Sequence, residues 1–278
     1  MSSRTPTLNV IGAGHVGRVF GRLLAASGAF ELQDVLTRSA ASAQQAVAFI
    51  GAGRAVASYE ELRPAEVYLL AVGDDQIVPA SEALAQAVQV AGAVLFHCSG
   101  ALASSQMRSA MAAGAHVASV HPIRSFADPA AVADQFAGTF CGVEGAPQAL
   151  ALLLPALTAI GARPVPIDAA AKTVYHAAAV FASNYLVTVL DAALRAYQAA
   201  GIPEPVARQM AQPLAAESMA NVFRLGAAAA LSGPVARGDM ATVERQQRAV
   251  AQWDAATGQL YADLVAPTVA LASRKRSG

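Results

Sequence analysis

Between Thr7 and about Asp168, short apolar runs alternate with alanine-rich stretches of helical period. Strands are expected at residues 8–11, 32–36, 67–72, 93–97, 116–120, 139–143 and 163–167. Several are unbroken apolar runs bounded by turn residues. That is the pattern of strands covered by helices on both faces, which implies a mostly parallel sheet. Helices are expected over residues 15–27, 75–90, 103–113 and 147–160. After Asp168 the strand pattern stops. Residues 169–199 read as one long helix closed by Gly201-Ile202-Pro203, and a second helix runs from Pro203 towards Arg224. Pro213 inside it predicts a kink or break, because proline lacks the amide hydrogen and crowds the preceding turn. Gly226 and Ser232-Gly233-Pro234 are further breaks, and helical patterning resumes over residues 239–272. The expected fold is α/β: an N-terminal domain with a doubly wound, mostly parallel sheet in residues 1–168, then an all-α domain in residues 169–278.

Composition narrows the function classes. The chain has 278 residues, enough for two domains. Its 19 Lys and Arg balance 19 Asp and Glu, so there is no basic excess to neutralise a phosphate backbone, and nucleic acid is not an expected partner. The one basic run, Arg274-Lys275-Arg276, reads as a solvated tail. Cys98 and Cys141 form neither a disulfide framework nor a metal-ligand pattern and read as buried core thiols, so no metal is expected. No cationic segment followed by an apolar stretch opens the sequence, and residues 177–190, the longest apolar run, contain Ser183 and Asn184. They read as a buried helix, with no membrane partner and a reducing cytoplasm as the expected setting.

Gly12-Ala13-Gly14-His15-Val16-Gly17 fits G-x-G-x-x-G, follows the apolar strand Leu8-Asn9-Val10-Ile11 and opens a helix. That context makes it a dinucleotide site: one glycine for the turn, one for close approach of a pyrophosphate, one for helix–strand packing. A site for NAD wants a carboxylate at the end of the second strand. This chain has Thr37-Arg38-Ser39 there, while Asp34 lies inside the run. Arg38 can pair with a 2′-phosphate and the flanking hydroxyls can hydrogen-bond it, so NADP is expected over the alternative NAD. Val72-Gly73 ends the next strand and should lie along the cofactor, with Asp75 as N-cap of the following helix.

Two more strand ends carry polar groups at the same edge, His97-Cys98-Ser99-Gly100 and His121-Pro122-Ile123-Arg124-Ser125-Phe126. His121 can move the proton that accompanies hydride transfer. Ser99 can bind a substrate oxygen or orient the histidine, and Arg124, with Ser125, can hold a carboxylate. His97 reads instead as a satisfied structural histidine. On the long helix, Lys172 and His176 are four residues apart and share a face, with Asn184 two turns further on. A lysine there can act as a general acid or steady an alkoxide. In Ser232-Gly233-Pro234-Val235-Ala236-Arg237-Gly238-Asp239, Asp239 is a probable N-cap and Arg237 a candidate anion ligand in its own subunit or across a dimer.

Taken together, these segments resemble a bacterial family that joins a Rossmann-like domain to a helical C-terminal domain of unknown function, whose members are often labelled NADP oxidoreductases. The layout is also similar to the wider 6-phosphogluconate dehydrogenase-like superfamily, which includes β-hydroxyacid dehydrogenases, ketopantoate reductase, pyrroline-5-carboxylate reductase and prephenate dehydrogenase. Ser99 with His121-Pro122 resembles the serine and histidine of prephenate dehydrogenases. Lys172 matches the lysine of β-hydroxyacid dehydrogenases, but His176 stands where their asparagine would be and their glycine-rich approach is replaced by Asp168-Ala169-Ala170-Ala171. The resemblance implies an NADP-dependent reductase or dehydrogenase for a small carboxylated hydroxy acid, keto acid or imine, working at an interdomain cleft, and a homodimer. Two alternatives stand beside it: a non-catalytic NADP-binding sensor or scaffold, and the same fold carrying a deazaflavin.

Overall fold

A computed structural model describes residues 4–277, and side chains up to Lys275. Eight strands form one sheet: β1 (Thr7–Ile11), β2 (Glu31–Leu36), β3 (Arg54–Val56), β4 (Val67–Leu70), β5 (Val94–His97), β6 (His116–Pro122), β7 (Phe140–Gly145) and β8 (Arg163–Pro166). Their order is β3-β2-β1-β4-β5-β6-β7-β8, parallel except where β7 runs against β6. The order reverses at β1, and a crevice opens there beyond the carboxyl ends of β1 and β4.

The helices of this part are α1 (His15–Ala26), α2 (Ala40–Ile50), α3 (Asp74–Ala87), α4 (Arg108–Ala112), α5 (Pro129–Asp134), α6 (Pro147–Ala159) and α7 (Lys172–Val180). Alternation along the strands divides the core in two. Leu8, Val10, Val35, Leu69 and Phe96 pack with α1, α2, α5 and α6, where Phe20 meets Phe136 edge to face at 5.6 Å. Ile11, Leu36, Tyr68, Leu70 and Leu95 pack with α3 and α4 on the other face. The hydrophobic pattern missed β3, α2 and α5. β3 has only three residues, and its Arg54 guanidinium reaches the buried Asp34. α2 starts from a Ser39 cap, its hydroxyl accepting the Ser42 amide. The helix expected over 103–113 splits into a short turn and α4, because Ser104 is held by Glu144 instead.

The chain divides into two compact units, residues 1–181 and 182–278. The first extends past Asp168 through α7. The second holds α8 (Leu186–Ala199), α9 (Glu204–Leu225), α10 (Ala227–Ala230), α11 (Pro234–Arg237), α12 (Met240–Trp253) and α13 (Ala255–Ser277). The stretch Ala169–Ala199 is helical throughout but changes winding, with a wider π turn at Phe181–Tyr185. α9 continues through Pro213, so of the expected kink or break there is no break. Gln209, whose carbonyl loses its helical partner, is an exposed residue, so solvent can supply a replacement. Asp239 caps α12 as expected. Arg274 and Lys275 are exposed as expected, but they lie in the last turns of α13, where Lys275 donates to the carbonyls of Ala229 and Leu231; the Arg276 side chain lies outside the described residues.

Both core clusters lie in the first unit. Among the described residues of the second, only Ala192, Ala207, Val243, Thr257, Gly258 and Ala272 are buried. The apolar segment 177–190, expected as a buried helix, has no buried residue: each is exposed or half-buried. By length and composition Ala169–Ala199 could cross a membrane, a property it shares with core helices of soluble proteins.

Candidate functional site

The bend after β1 gives each glycine a separate reason. Gly12 has φ +80°, and a Cβ there would stand 2.6 Å from the Ala71 carbonyl oxygen. A Cβ at Gly17 would stand 2.5 Å from the Gly12 carbonyl, so α1 packs too close to the bend for a side chain. A Cβ at Gly14 would meet nothing within 4 Å: that space is open. His15 begins α1, whose first amides point towards it. The His15 ring reaches the Phe126 carbonyl at 2.5 Å, and a carbonyl only accepts, so Nδ1 carries the proton.

A cavity of about 1230 Å³ opens at this bend, lined by Gly12, Ala13, Gly14, Thr37, Arg38, Val72 and Gly73. Val16 and Gly17 lie behind it in α1. Ser39 caps α2, and its hydroxyl, with those of Thr37 and Ser42, forms a cluster beside Arg38 in which Thr37 Oγ1 and Ser42 Oγ are 2.5 Å apart. Asp34 does not face the cavity. It is fully buried, paired with Arg54 at 2.9 Å and Arg63 at 2.8 Å. Burial alone would raise its pKa, but the Arg63 and Arg54 hydrogen bonds outweigh burial and hold it below the usual value. Arg18, Ser42, Tyr59 and Pro79 also line the cavity and were not singled out from sequence. They come from segments that carry no motif. Asp75 does not cap α3, which begins one residue earlier at Asp74, after Gly73.

A second cluster forms at the ends of β5 and β6. His121 Nδ1 is 2.8 Å from the Tyr175 hydroxyl, and the His176 ring meets His121 edge to face at 5.5 Å. Gly100 and Gly142 make room for these rings. A Cβ at Gly100 would lie 2.3 Å from His176 Cδ2 and 2.8 Å from His121 Nε2, and one at Gly142 would lie 2.3 Å from the Tyr175 oxygen. Burial, then the neighbouring His176 and Lys172, push His121 down to about 4, while Asp74 pulls the other way. His121 is therefore neutral at pH 7. Asp74 begins α3 directly after Gly73, so the field at His121 is shared with the wall of the dinucleotide cavity.

Lys172 lies beneath this pair and is 1 % exposed. Its Nζ donates to the Ser99 carbonyl at 3.0 Å and to Ser119 Oγ, and lies 3.4 Å from Glu144 Oε1. Glu144 in turn accepts from the Ser104 amide and hydroxyl, both at 2.7 Å. Burial lowers the Lys172 pKa and Glu144 opposes that. Ser99 Oγ accepts the amides of Ala101 and Leu102, which ties it to its own turn. His97 is fully buried and pushed down to about 4 by burial and by Lys172. Its Nδ1 accepts the Ser99 amide, while its Nε2 has no partner among the described residues, so it is only half satisfied. Cys141 is buried as expected, and Cys98 is partly exposed.

The structure thus brings His121, His176, Lys172 and the Ser99 backbone together. Arg124 turns away, donating to the Gln135 carbonyl and, at 3.4 Å, to Thr139 Oγ1. Ser125 is exposed on the same loop. Asn184 and Arg237 belong to the second unit and are exposed there, Asn184 in the π turn and Arg237 in the last turn of α11. Tyr175 and Glu144 were missed. A tyrosine on an alanine-rich helix and a glutamate within a strand carry no motif, and only the pairing of β7 with β6 brings Gly142 opposite His121 and Glu144 opposite Ser119.

Comparison with known proteins agrees with this geometry. A Rossmann-like domain matches residues 2–122, and a domain of unknown function, DUF2520, matches residues 139–268. No curated protein matches the chain. Protein TM1727 from Thermotoga maritima is similar at 29% identity and a TM-score of 0.73, covering 97% of this chain and 100% of its own. The "putative NADP oxidoreductase BF3122" from Bacteroides fragilis shares 20% identity with a TM-score of 0.77, over 95% of this chain and 98% of its own. An imine reductase from Myxococcus stipitatus in complex with NADP+ has the same fold at 16% identity and a TM-score of 0.65, over 98% of this chain and 94% of its own. The chain thus carries a match to a Rossmann-like domain followed by a match to this domain of unknown function.

Proposed function

We propose that the protein is an NADP-dependent oxidoreductase acting on a small carboxylated hydroxy acid, keto acid or imine. One observation carries the reading: a cavity with an open phosphate position at Gly14 whose far end holds Arg38 and hydroxyls, with the carboxylate of β2 turned inward to two arginines. The first α1 amides suit the pyrophosphate, and Arg38 with Thr37, Ser39 and Ser42 suits a 2′-phosphate. NAD would leave Arg38 without a ligand anion, and so would a deazaflavin. The fold shared with an imine reductase crystallised with NADP+ supports the same reading.

When bound, the nicotinamide supplies the hydride. The protein's part is to orient the acceptor and manage the proton. His121, neutral and fixed at a strand end, donates a hydrogen bond to the acceptor atom. His176 lies against the same ring and helps position the substrate. Lys172 is sealed from solvent and acts through its charge rather than as a proton donor. The exposed apolar helices of the second unit, Phe223 at 90 % exposure among them, are the surface on which a homodimer would form. Sedimentation equilibrium distinguishes that dimer from a monomer. The free thiols suit a reducing cytoplasm.

The test is an NADPH-oxidation screen across small keto acids and imines, with His121→Ala beside the wild type. Turnover lost in the variant with NADPH binding retained is the expected result. Equal turnover in both removes His121 from the chemistry, and tight cofactor binding with no turnover on any substrate favours the sensor reading.

A further inference from the structure

His121 is gripped on two edges by groups that the dinucleotide fold does not require. Tyr175 meets its Nδ1 at 2.8 Å, with the two rings at 85°. On the opposite edge, Nε2 and Cε1 lie over the bare Cα of Gly100, where a Cβ would come within 2.8 Å of both. The phenol itself sits where Gly142 lacks a side chain, and Gly142 is the residue paired with His121 across the β6–β7 ladder. One strand pair thus supplies both the histidine and the space for the residue that holds it.

A neutral imidazole has one N–H and one lone pair, so the hydroxyl on Nδ1 decides which nitrogen keeps the proton. Burial holds the Tyr175 phenol above its ordinary pKa, so at neutral pH it carries its proton. A protonated phenol has one hydrogen to give, and at 2.8 Å the His121 Nδ1 lone pair is placed to take it.

We propose that Tyr175 is a positioning residue that donates its hydroxyl hydrogen to His121 Nδ1 and so locks His121 in the tautomer with the proton on Nε2, a fixed hydrogen-bond donor for a carbonyl oxygen or imine nitrogen. The use of that donor rests on the reductase reading, but the tautomer itself does not. The opposite tautomer would present a lone pair, and would repel an acceptor atom.

The experiment is long-range proton–nitrogen NMR of protein with labelled imidazoles, without cofactor, at pH 7.5. The resonances of His121 are identified among the five histidines by their absence in His121→Asn. The expected wild-type spectrum shows Nε2 protonated and Nδ1 bare. In Tyr175→Phe, which keeps the ring, both nitrogens should move towards the averaged shifts of a tautomer mixture. Gly142→Ala, which displaces the phenol while keeping its hydroxyl, should do the same. A wild-type His121 protonated on Nδ1, or a tautomer unchanged by Tyr175→Phe, overturns the proposal. Because no nucleotide is present, failure to bind NADPH would sink the reductase reading and leave this result standing.

Discussion

Replacing Lys172 by methionine removes the cation at the centre of the buried network while keeping most of its volume. Three acceptors lose a donor, the Ser99 carbonyl, Ser119 Oγ and Glu144 Oε1, though the Ser99 carbonyl keeps the Ser119 hydroxyl at 3.2 Å. Breaking a buried ion pair from one side costs about 3–5 kcal/mol, because the remaining charge stays buried. Glu144 keeps two 2.7 Å hydrogen bonds from Ser104, which places the expected loss near the lower end, about 3 kcal/mol. With a urea m-value of about 3 kcal/mol/M, the unfolding midpoint should fall by about 1 M. The second member of the cycle is Glu144→Gln, which removes the charge and keeps an acceptor for Ser104. In the double variant no charge is left unpaired, so about 1–2 kcal/mol should return as coupling between the two sites. Urea unfolding of the four proteins measures this directly. A Lys172→Met loss below about 1 kcal/mol, or losses that simply add, would refute the view that Lys172 and Glu144 act as one buried pair.

Three other outcomes follow from single features. Gly14→Ala should leave thermal stability nearly unchanged but weaken NADPH binding more than tenfold, since its Cβ meets nothing in the fold and enters the open phosphate position. Gly17→Ala should instead lower stability by about 1–3 kcal/mol, because its Cβ would press on the Gly12 carbonyl at 2.5 Å; calorimetry and nicotinamide fluorescence separate the two. Stability should fall as pH drops from 6.5 to about 4, where the unfolded chain protonates His97 and His121 while the fold, which holds both down to about 4, does not. The slope is up to about 1.4 kcal/mol per pH unit for each histidine, and urea midpoints at pH 7, 6 and 5 with His97→Asn as comparison would show it; a flat profile contradicts the buried, neutral state.

The dinucleotide half was legible because its physics is local. A buried parallel strand must be an apolar run, and the three glycines must sit where a turn, a phosphate and a packed helix require them, so Gly12, Gly14 and Gly17 announced themselves. The second cluster was only half legible. His121 and Ser99 follow strands and carry recognisable dipeptides, but Tyr175 and Glu144 acquire meaning only from the antiparallel register of β7 on β6, which no local pattern encodes. Lys172 is legible by its spacing from His176, but spacing on a helix cannot tell a cleft from the sealed network in which it lies. Arg124 reads as a substrate ligand from its position after a strand, and its side chain donates to the Gln135 carbonyl beside α5, a contact that no local pattern announces. The long apolar helix was expected to be buried because apolar faces are usually covered; in the single chain that cover is missing.

The central claim, an NADP site with Arg38 at its 2′-phosphate end, is tested most directly by titrating the protein with NADPH and NADH, following nicotinamide fluorescence, for wild type and Arg38→Ala. The account predicts that wild type prefers NADPH and that the preference collapses in the variant with NADH binding little changed. Equal affinity for both nucleotides in the wild type, or no binding of either, would contradict it.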